Sequence, residues 1–225
     1  MRYEINWKED VQLDDGTWLK LRLIRPADKE LLLQGFERLS EQSRYRRFLA
    51  PKRTLNVDEL RYLTEVDGVR HFALGAILHD DKTNKSRGLG IARFVVIGED
   101  AGIAEAAVAV ADEIQGRGLG RILLDRLVEA ALERGIHHFR CEVLANNVSM
   151  LTLVEKIGET RRVDYDGVAL TVDVALPPNV PVPAAAALDK PPIFRLLSLV
   201  ASGLVDVRNF IDRLRVSLTG KDHDV

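Results

Sequence analysis

A chain of 225 residues is long enough for one well-buried domain and an appendage, and 46% apolar with 29% charged residues is the make-up of an ordinary soluble globular protein. A net charge of -2 excludes a global pull toward nucleic acid or anionic lipid, no apolar run approaches the ~20 residues of a membrane span, and Met1-Arg2-Tyr3-Glu4 opens a polar stretch without an apolar signal core. The single cysteine, Cys141, cannot form an intramolecular disulfide, so a reducing cytoplasm is the expected location.

In chain order, residues 11–13 and 17–24 flank Asp14-Asp15-Gly16, a hairpin turn, with Leu19, Leu21 and Leu23 alternating against Lys20 and Arg22 to bury one face. Asp28 stands where it can cap a helix that carries Leu31, Leu32, Gly35, Phe36 and Leu39 inward. A short helix is expected after Ser43 and another over 57–64. Residues 71–78 and 88–97 read as antiparallel strands around a polar loop at 80–87, and 103–110 continues the sheet past the turn at 99–102.

The apolar run 106–111 reads as a buried strand leading through Asp112, Glu113 and Ile114 into Gln115-Gly116-Arg117-Gly118-Leu119-Gly120. Ile122, Leu123, Leu127, Val128, Ala131 and Leu132 then recur at helical spacing. A strand at 138–144, a helix at 147–156 and two strands at 160–163 and 168–174 around Asp164-Tyr165-Asp166-Gly167 complete an α/β domain over residues 1–175.

Residues 176–192 hold six of the eight prolines and four consecutive alanines, the composition of a semi-rigid linker. Over 193–218, Ile193, Leu197, Val200, Leu204, Val207, Ile211, Leu214 and Leu218 form a heptad seam, so an amphipathic C-terminal helix is expected. It would dock on its own domain, on a twin subunit to make a homodimer, or on a partner. Arg195, Arg208, Arg213 and Arg215 could instead meet anionic lipid, but Asp206 and Asp212 oppose this and no stable membrane insertion is expected.

Strand, glycine turn, helix is the order a backbone needs to aim several N–H groups at one anion, because the first amides of a helix lack intrahelical partners and sit in positive potential. Three readings fit: a tight connection with no ligand, a dinucleotide fingerprint, and a coenzyme A site. Arg121, the polar insert 112–115 and the distance from the strand count against the dinucleotide fingerprint, although Glu142 lies at about the right distance for a ribose contact. A Walker loop fails because no Gly-Lys-Ser/Thr follows.

Gln115-Gly116-Arg117-Gly118-Leu119-Gly120 resembles the Gln/Arg-x-x-Gly-x-Gly/Ala signature of the GNAT superfamily of acyl-CoA-dependent N-acyltransferases. The block from Val143 through Asn146, Asn147 and Leu151 to Lys156-Ile157-Gly158 is similar to that superfamily's later strand, Asn, helix and Lys-x-Gly motif. Residues 38–48 are similar to the first helices of its bacterial protein-lysine acetyltransferases. The resemblance covers roughly residues 10–175 and implies a GNAT-type mixed, mostly antiparallel sheet flanked by helices, with acetyl-CoA as co-substrate and no metal. The reaction it implies is acetyl transfer to an amine, a protein lysine or a small molecule, by direct attack in a ternary complex; a non-catalytic acyl-CoA-binding module is the alternative. Members with this helical block often carry a separate regulatory domain. This chain is expected to be regulated through its C-terminal helix or through partners.

A lysine arrives at neutral pH as an ammonium with pKa near 10.4, so a base must take its proton directly or through a water. Glu105 is the one ionisable residue between 103 and 111, and related protein acetyltransferases place a catalytic glutamate at the corresponding Ala-Glu. In the superfamily this strand splays from the next. That carries the pantetheine arm and thioester carbonyl over to Val108, Ala109 and Val110, the oxyanion meeting a backbone N–H. Pyrophosphate is expected on the amides of Gln115, Gly116, Arg117, Gly118, Leu119 and Gly120, with Arg117 or Arg121 adding charge, and Asn147 on the coenzyme arm or as a plain helix cap. Many GNAT enzymes carry a tyrosine seven residues after this asparagine as general acid for the thiolate; here Val154 stands there, and Glu159 replaces the usual Phe. His137, His138, Cys141 and Glu142 are no metal set, since strand neighbours face opposite ways. The cluster Arg44, Arg46, Arg47, Lys52 and Arg53 with Tyr45 and Phe48 suits a surface facing the acceptor better than nucleic acid.

Overall fold

The computed structural model describes residues 1–80, 84–98 and 102–177. The linker beyond 177, the helix 193–218, the turn residues 99–101 and the tip of the polar loop at 81–83 lie outside the described residues. One sheet holds eight strands in the order β1-β2-β3-β4-β5-β6-β8-β7. They are β1 Lys8–Gln12, β2 Trp18–Leu23, β3 His71–Asp80, β4 Lys85–Val96, β5 Ile103–Val110, β6 His138–Leu144, β7 Thr160–Tyr165 and β8 Ala169–Ala175. Every neighbouring pair is antiparallel except β5–β6, giving the expected mixed, mostly antiparallel sheet.

The helices are α1 Lys29–Arg38, α2 Glu41–Phe48, α3 Val57–Thr64, α4 Leu119–Leu132 and α5 Val148–Glu155. They divide by what they bury. Leu119, Leu123, Leu124, Leu127 and Val128 of α4 pack on Leu21, Phe72, Leu74, Phe94, Ala104 and Ala106, the apolar sides of alternating strands. Val154 of α5 joins the same core at 0% exposure. On the other face Phe36, Phe48, Leu55 and Leu63 gather α1, α2 and α3 into a second, smaller cluster. A row of rings crosses the large core: Tyr3–Phe72, Phe72–Phe94 and Phe94–Phe139, with centroids 6.3, 5.2 and 6.1 Å apart. Burial continues one residue past the expected boundary, because Leu176 is in the core and its amide donates to the His137 carbonyl at 2.8 Å.

Two helix starts differ from the sequence expectation. Asp28 makes no side-chain cap on α1. Its carboxylate instead accepts two bonds from the Arg22 guanidinium, at 2.7 and 2.6 Å, and one from the Arg25 amide at 2.8 Å. Arg22, on the polar side of β2, is a stronger partner than a helix amide. The second helix begins before Ser43, because Ser40 caps it by accepting from the Ser43 amide. The third, over 57–64, is as expected and carries a capping box from Asn56 and Glu59.

Burial works to raise the Asp28 carboxyl, but the bonds from Arg22 and Arg25 outweigh it and hold the group below its ordinary 3.8. A depressed carboxyl contributes stability above its unfolded pKa and loses it as pH falls through the folded value. Asp28→Asn is therefore expected to lower the free energy of urea unfolding by about 2 kcal/mol at pH 7. The difference from the native chain should shrink as pH is taken below about 3.8.

Candidate active site

The parallel seam between β5 and β6 is three residues long, with Ile103 opposite His138, Ala104 opposite Phe139 and Glu105 opposite Arg140. Beyond it the strands part, while β5 stays paired to β4 through Val110 and β6 to β8 through Leu144. The amides of His137 and His138 both donate to the Gly102 carbonyl on the β6 side, and the Ala111 amide donates to the Leu89 carbonyl on the β4 side. Because backbone groups alternate along a strand, Val108 and Val110 turn theirs into the opening and Ala109 turns its own to β4. The run 106–111 is thus not uniformly buried, as its apolarity suggests: residues 107–110 are half-exposed because no strand covers that edge.

The opening is a cleft of about 580 Å³. Val108, Ala109 and Val110 form one wall and Cys141, Glu142 and Val143 the other, while Gln115, Gly116, Gly118, Gly120 and Arg121 stand at one end. Gly116 and Gly118 have φ of 76° and 87°, a region that costs a residue with a Cβ. At Gly118 a Cβ would also lie 2.9 Å from the Asp14 carboxylate. The first amides of α4 to bond back are those of Arg121 and Ile122, both to the Gly118 carbonyl. Those before them are the donors that a helix start leaves for an outside acceptor.

The two arginines of the turn separate. Arg117 pairs with Asp15 at 2.5 Å, donates to the Glu113 carbonyl at 2.9 Å and is absent from the cleft wall. Arg121 lines the cleft and is exposed, with Asp125 at 3.6 Å. Leu119 packs into the core at 1% exposure, so only its backbone can serve the turn. Asn147 lines the cleft and caps α5 by accepting from the Met150 amide.

Glu105 is 1% exposed and is not part of the cleft wall. It shares a sheet face with Ala107 and Ala109, one strand repeat below the wall, and its charge acts on Arg47 and Arg140. Arg140 is clamped by Asp173 through two bonds of 2.7 Å. Arg47, from α2, reaches the cleft; burial and the Arg93 charge pull its guanidinium below its ordinary value, and Glu105 opposes them. Val154 lies in the core, away from the cleft. Among the described residues no group of three or more His, Cys, Asp or Glu is placed to hold a metal.

The basic cluster of α2 is largely turned inward. Arg44 stacks over Phe36 at 4.7 Å and donates to the carbonyls of Leu39 and Glu37, while Lys52 forms a buried pair with Glu59 at 2.5 Å. Arg46 and Arg47 are left on the cleft wall.

Composition hid one residue that organises the site. Asp112 accepts from the Ser40 amide at 2.7 Å, the Ser40 hydroxyl at 3.2 Å and the Ser43 hydroxyl at 2.5 Å. Gln115 completes the knot, donating to Asp112 at 3.2 Å, to the Ser43 hydroxyl at 3.3 Å and to the Val110 carbonyl at 3.0 Å. Burial would raise the Asp112 carboxyl, yet the Ser43 and Ser40 bonds hold it below its ordinary value. The only sequence signal was an acid after a strand and a Ser-x-x-Ser pair 70 residues away, a contact that spacing does not reveal.

The acetyltransferase (GNAT) family model matches residues 33–158. The chain is 36% identical over 183 residues to the acetyltransferase Pat of Mycolicibacterium smegmatis, a match to 77% of this chain and 50% of that one. It therefore spans about half the length of that relative. It is 32% identical over 161 residues to the acetyltransferase PA5475 of Pseudomonas aeruginosa, covering 72% and 84% of the two chains. The solved GNAT domain of S. lividans PAT superposes with a TM-score of 0.70 at 31% identity, covering 77% of this chain and 99% of that one. The yncA structure of Salmonella typhimurium, solved with acetyl-CoA, shares the fold with a TM-score of 0.55 at 20% identity, covering 77% and 99%.

Asp112→Ala would cut the tie between α2 and the glycine turn. Amide hydrogen exchange is expected to quicken at least tenfold in α2 and residues 112–118 while β6 and β8 keep their protection. Global stability should fall by about 2 kcal/mol, the loss of hydrogen bonds to a charged group.

Proposed function

We propose, on the premise that this chain belongs to the GNAT acetyltransferase family, that it transfers the acetyl group of acetyl-CoA to an amine, the side-chain amine of protein lysines. The observation that carries this reading is the parting of β5 from β6 directly beside the glycine turn. It puts free backbone donors for a thioester and a cradle for a pyrophosphate on one cleft. The pyrophosphate lies on the amides of residues 116–120, with Arg121 as the adjacent cation. The pantetheine arm runs along Val108 to Val110, within reach of Asn147.

Glu105 serves as the general base. Its place on the face of Ala107 and Ala109, just under the wall, suits transfer through a water that enters the opening with the amine. The amine nitrogen attacks the thioester carbon, and the oxyanion meets the Val108 or Val110 amide, a fixed donor worth a few kcal/mol in the transition state. The C–S bond breaks, the nitrogen gives up its second proton to water, and the thiolate takes its proton from solvent. Lysine as the acceptor rests on likeness to the relative named Pat, and Arg46 on the cleft wall gives the protein partner a cationic contact. We place the reaction in the cytoplasm, where the buried, free Cys141 stays reduced. Among the described residues no helix is long and apolar enough to cross a membrane.

The test is transfer of labelled acetyl groups from acetyl-CoA into a cell extract. Protein bands should be labelled, and Glu105→Gln should cut the initial rate about a hundredfold, the weight of a positioned base, with acetyl-CoA affinity unchanged. An unlabelled extract with turnover of small amines would replace the lysine reading. A variant as fast as the native chain would remove Glu105 from the chemistry.

A further inference from the structure

A second cavity, of about 100 Å³, lies between α1, α2 and the sheet. It meets the cleft along a common wall of Leu39, Arg47, Ala109 and Val110. Its lining is apolar apart from Asp28, Arg47 and Arg93. Asp28 is held by Arg22 and Arg25, and Arg93 donates to His71 at 3.2 Å and to the Leu63 carbonyl at 3.0 Å. The Arg47 guanidinium lies over the Phe48 ring at 5.2 Å. Such a space favours an uncharged chain: an apolar cavity of about 150 Å³ stays dry and takes up benzene, so one of about 100 Å³ suits a few methylenes.

Two glycines on its wall have no backbone need to be glycine. Gly35, inside α1, and Gly88, in β4, both lie outside the positive-φ region. Glycine in a helix interior is less favourable than alanine. A Cβ at Gly35 would make an ordinary contact of 3.6 Å with the Gly88 carbonyl, and one at Gly88 an ordinary contact of 3.5 Å with Leu31. Alanine would fit at either position. What it would remove is room.

We propose that this cavity is an acyl-chain pocket, so that the chain uses donors longer than acetyl-CoA, up to a straight acyl group of about four carbons. The proposal rests on the acetyl-transfer reading above, which puts the thioester at Val108 to Val110. From there the acyl tail passes Ala109, between Leu39 and Arg47, and ends against Gly35 and Gly88. The chemistry is unchanged: the ammonium proton goes to the base, the amine N–C bond forms, the thioester C–S bond breaks, the nitrogen gives up its second proton to water, and the CoA thiolate is protonated from solvent.

The experiment compares acetyl-CoA and butyryl-CoA with the native chain and with the double variant Gly35→Ala, Gly88→Ala. For the native chain, kcat/KM with butyryl-CoA is expected within about tenfold of that with acetyl-CoA. The double variant should keep acetyl transfer within about twofold and lose butyryl transfer at least tenfold. Calorimetric binding adds a readout independent of turnover. Butyryl-CoA should bind the native chain about tenfold tighter than acetyl-CoA, the gain for burying two further methylenes, and the variant should erase that difference. Equal affinities, or butyryl transfer more than a hundredfold below acetyl transfer, would overturn the pocket. So would a variant that raises the amine KM equally with both donors, which would give the space to the acceptor's aliphatic stem. If neither donor turns over yet the binding difference is present and lost in the variant, the pocket stands and the transferase reading falls.

Discussion

A strand pair that stops after three residues decides where everything else in this protein can go. β5 is tied along its length to β4, and β6 along its length to β8, so each half of the sheet is complete in itself. Only the seam at 103–105 joins them. The halves are bridged by the Phe72–Phe94–Phe139 row, which crosses under the seam from β4 to β6. The Arg140–Asp173 fork stiffens β6 against β8 at the position where the seam ends. An opening between rigid edges is prepared before any ligand arrives, which is where binding and catalysis save ordering cost. The same parting leaves the cleft end open to the glycine turn, and the Asp112–Gln115 knot then holds that turn against α2.

His71, Arg93 and Glu105 lie on one sheet face beneath the opening, and Cys141 lies on the other. Burial together with the Arg93 charge pushes His71 down to about 3, and burial draws Arg93 down to about 10 against the pull of Tyr62. His71 is therefore neutral, and its Nε2 accepts from the Arg93 guanidinium. Burial, with help from the charges of Glu105 and Asp173, pushes the Cys141 thiol up to about 12. A thiol in that state is a poor nucleophile. Cys141, on the cleft wall, is thus held as the neutral thiol.

Most of the sheet was legible because its signals are local: the alternation in β2, the apolar run of β5 and the glycine turn each declare themselves within a dozen residues. What was hidden was pairing. Nothing within residues 106–111 says that their far edge is uncovered, since an apolar strand looks the same whether or not a neighbour pairs with it. Asp28 reads as a cap until Arg22, on another element, claims it. Arg117 and Arg121 are equivalent by composition, and Asp15 alone separates them. The Asp112 knot and the second cavity arise from contacts between segments tens of residues apart, which no periodicity encodes. Tyr3, fully buried at the head of the ring row, sits in a stretch that reads as polar.

Val154 shows how a missing residue can be read from packing. A side chain there points into the α4 core at 0% exposure, so a tyrosine at that place would bury its hydroxyl among alkyl groups, at a cost of a few kcal/mol unless it found a partner. The backbone of α5 in this chain therefore does not aim position 154 at the cleft, and its lack of a proton donor follows from the helix orientation rather than from the choice of valine. A thiol with pKa near 8.5 is a tolerable leaving group as the thiolate, and the cleft is open to water at its mouth. Removal of the amine proton is then the harder transfer, and Glu105, the carboxylate we propose as its base, is held in place by the three-residue seam.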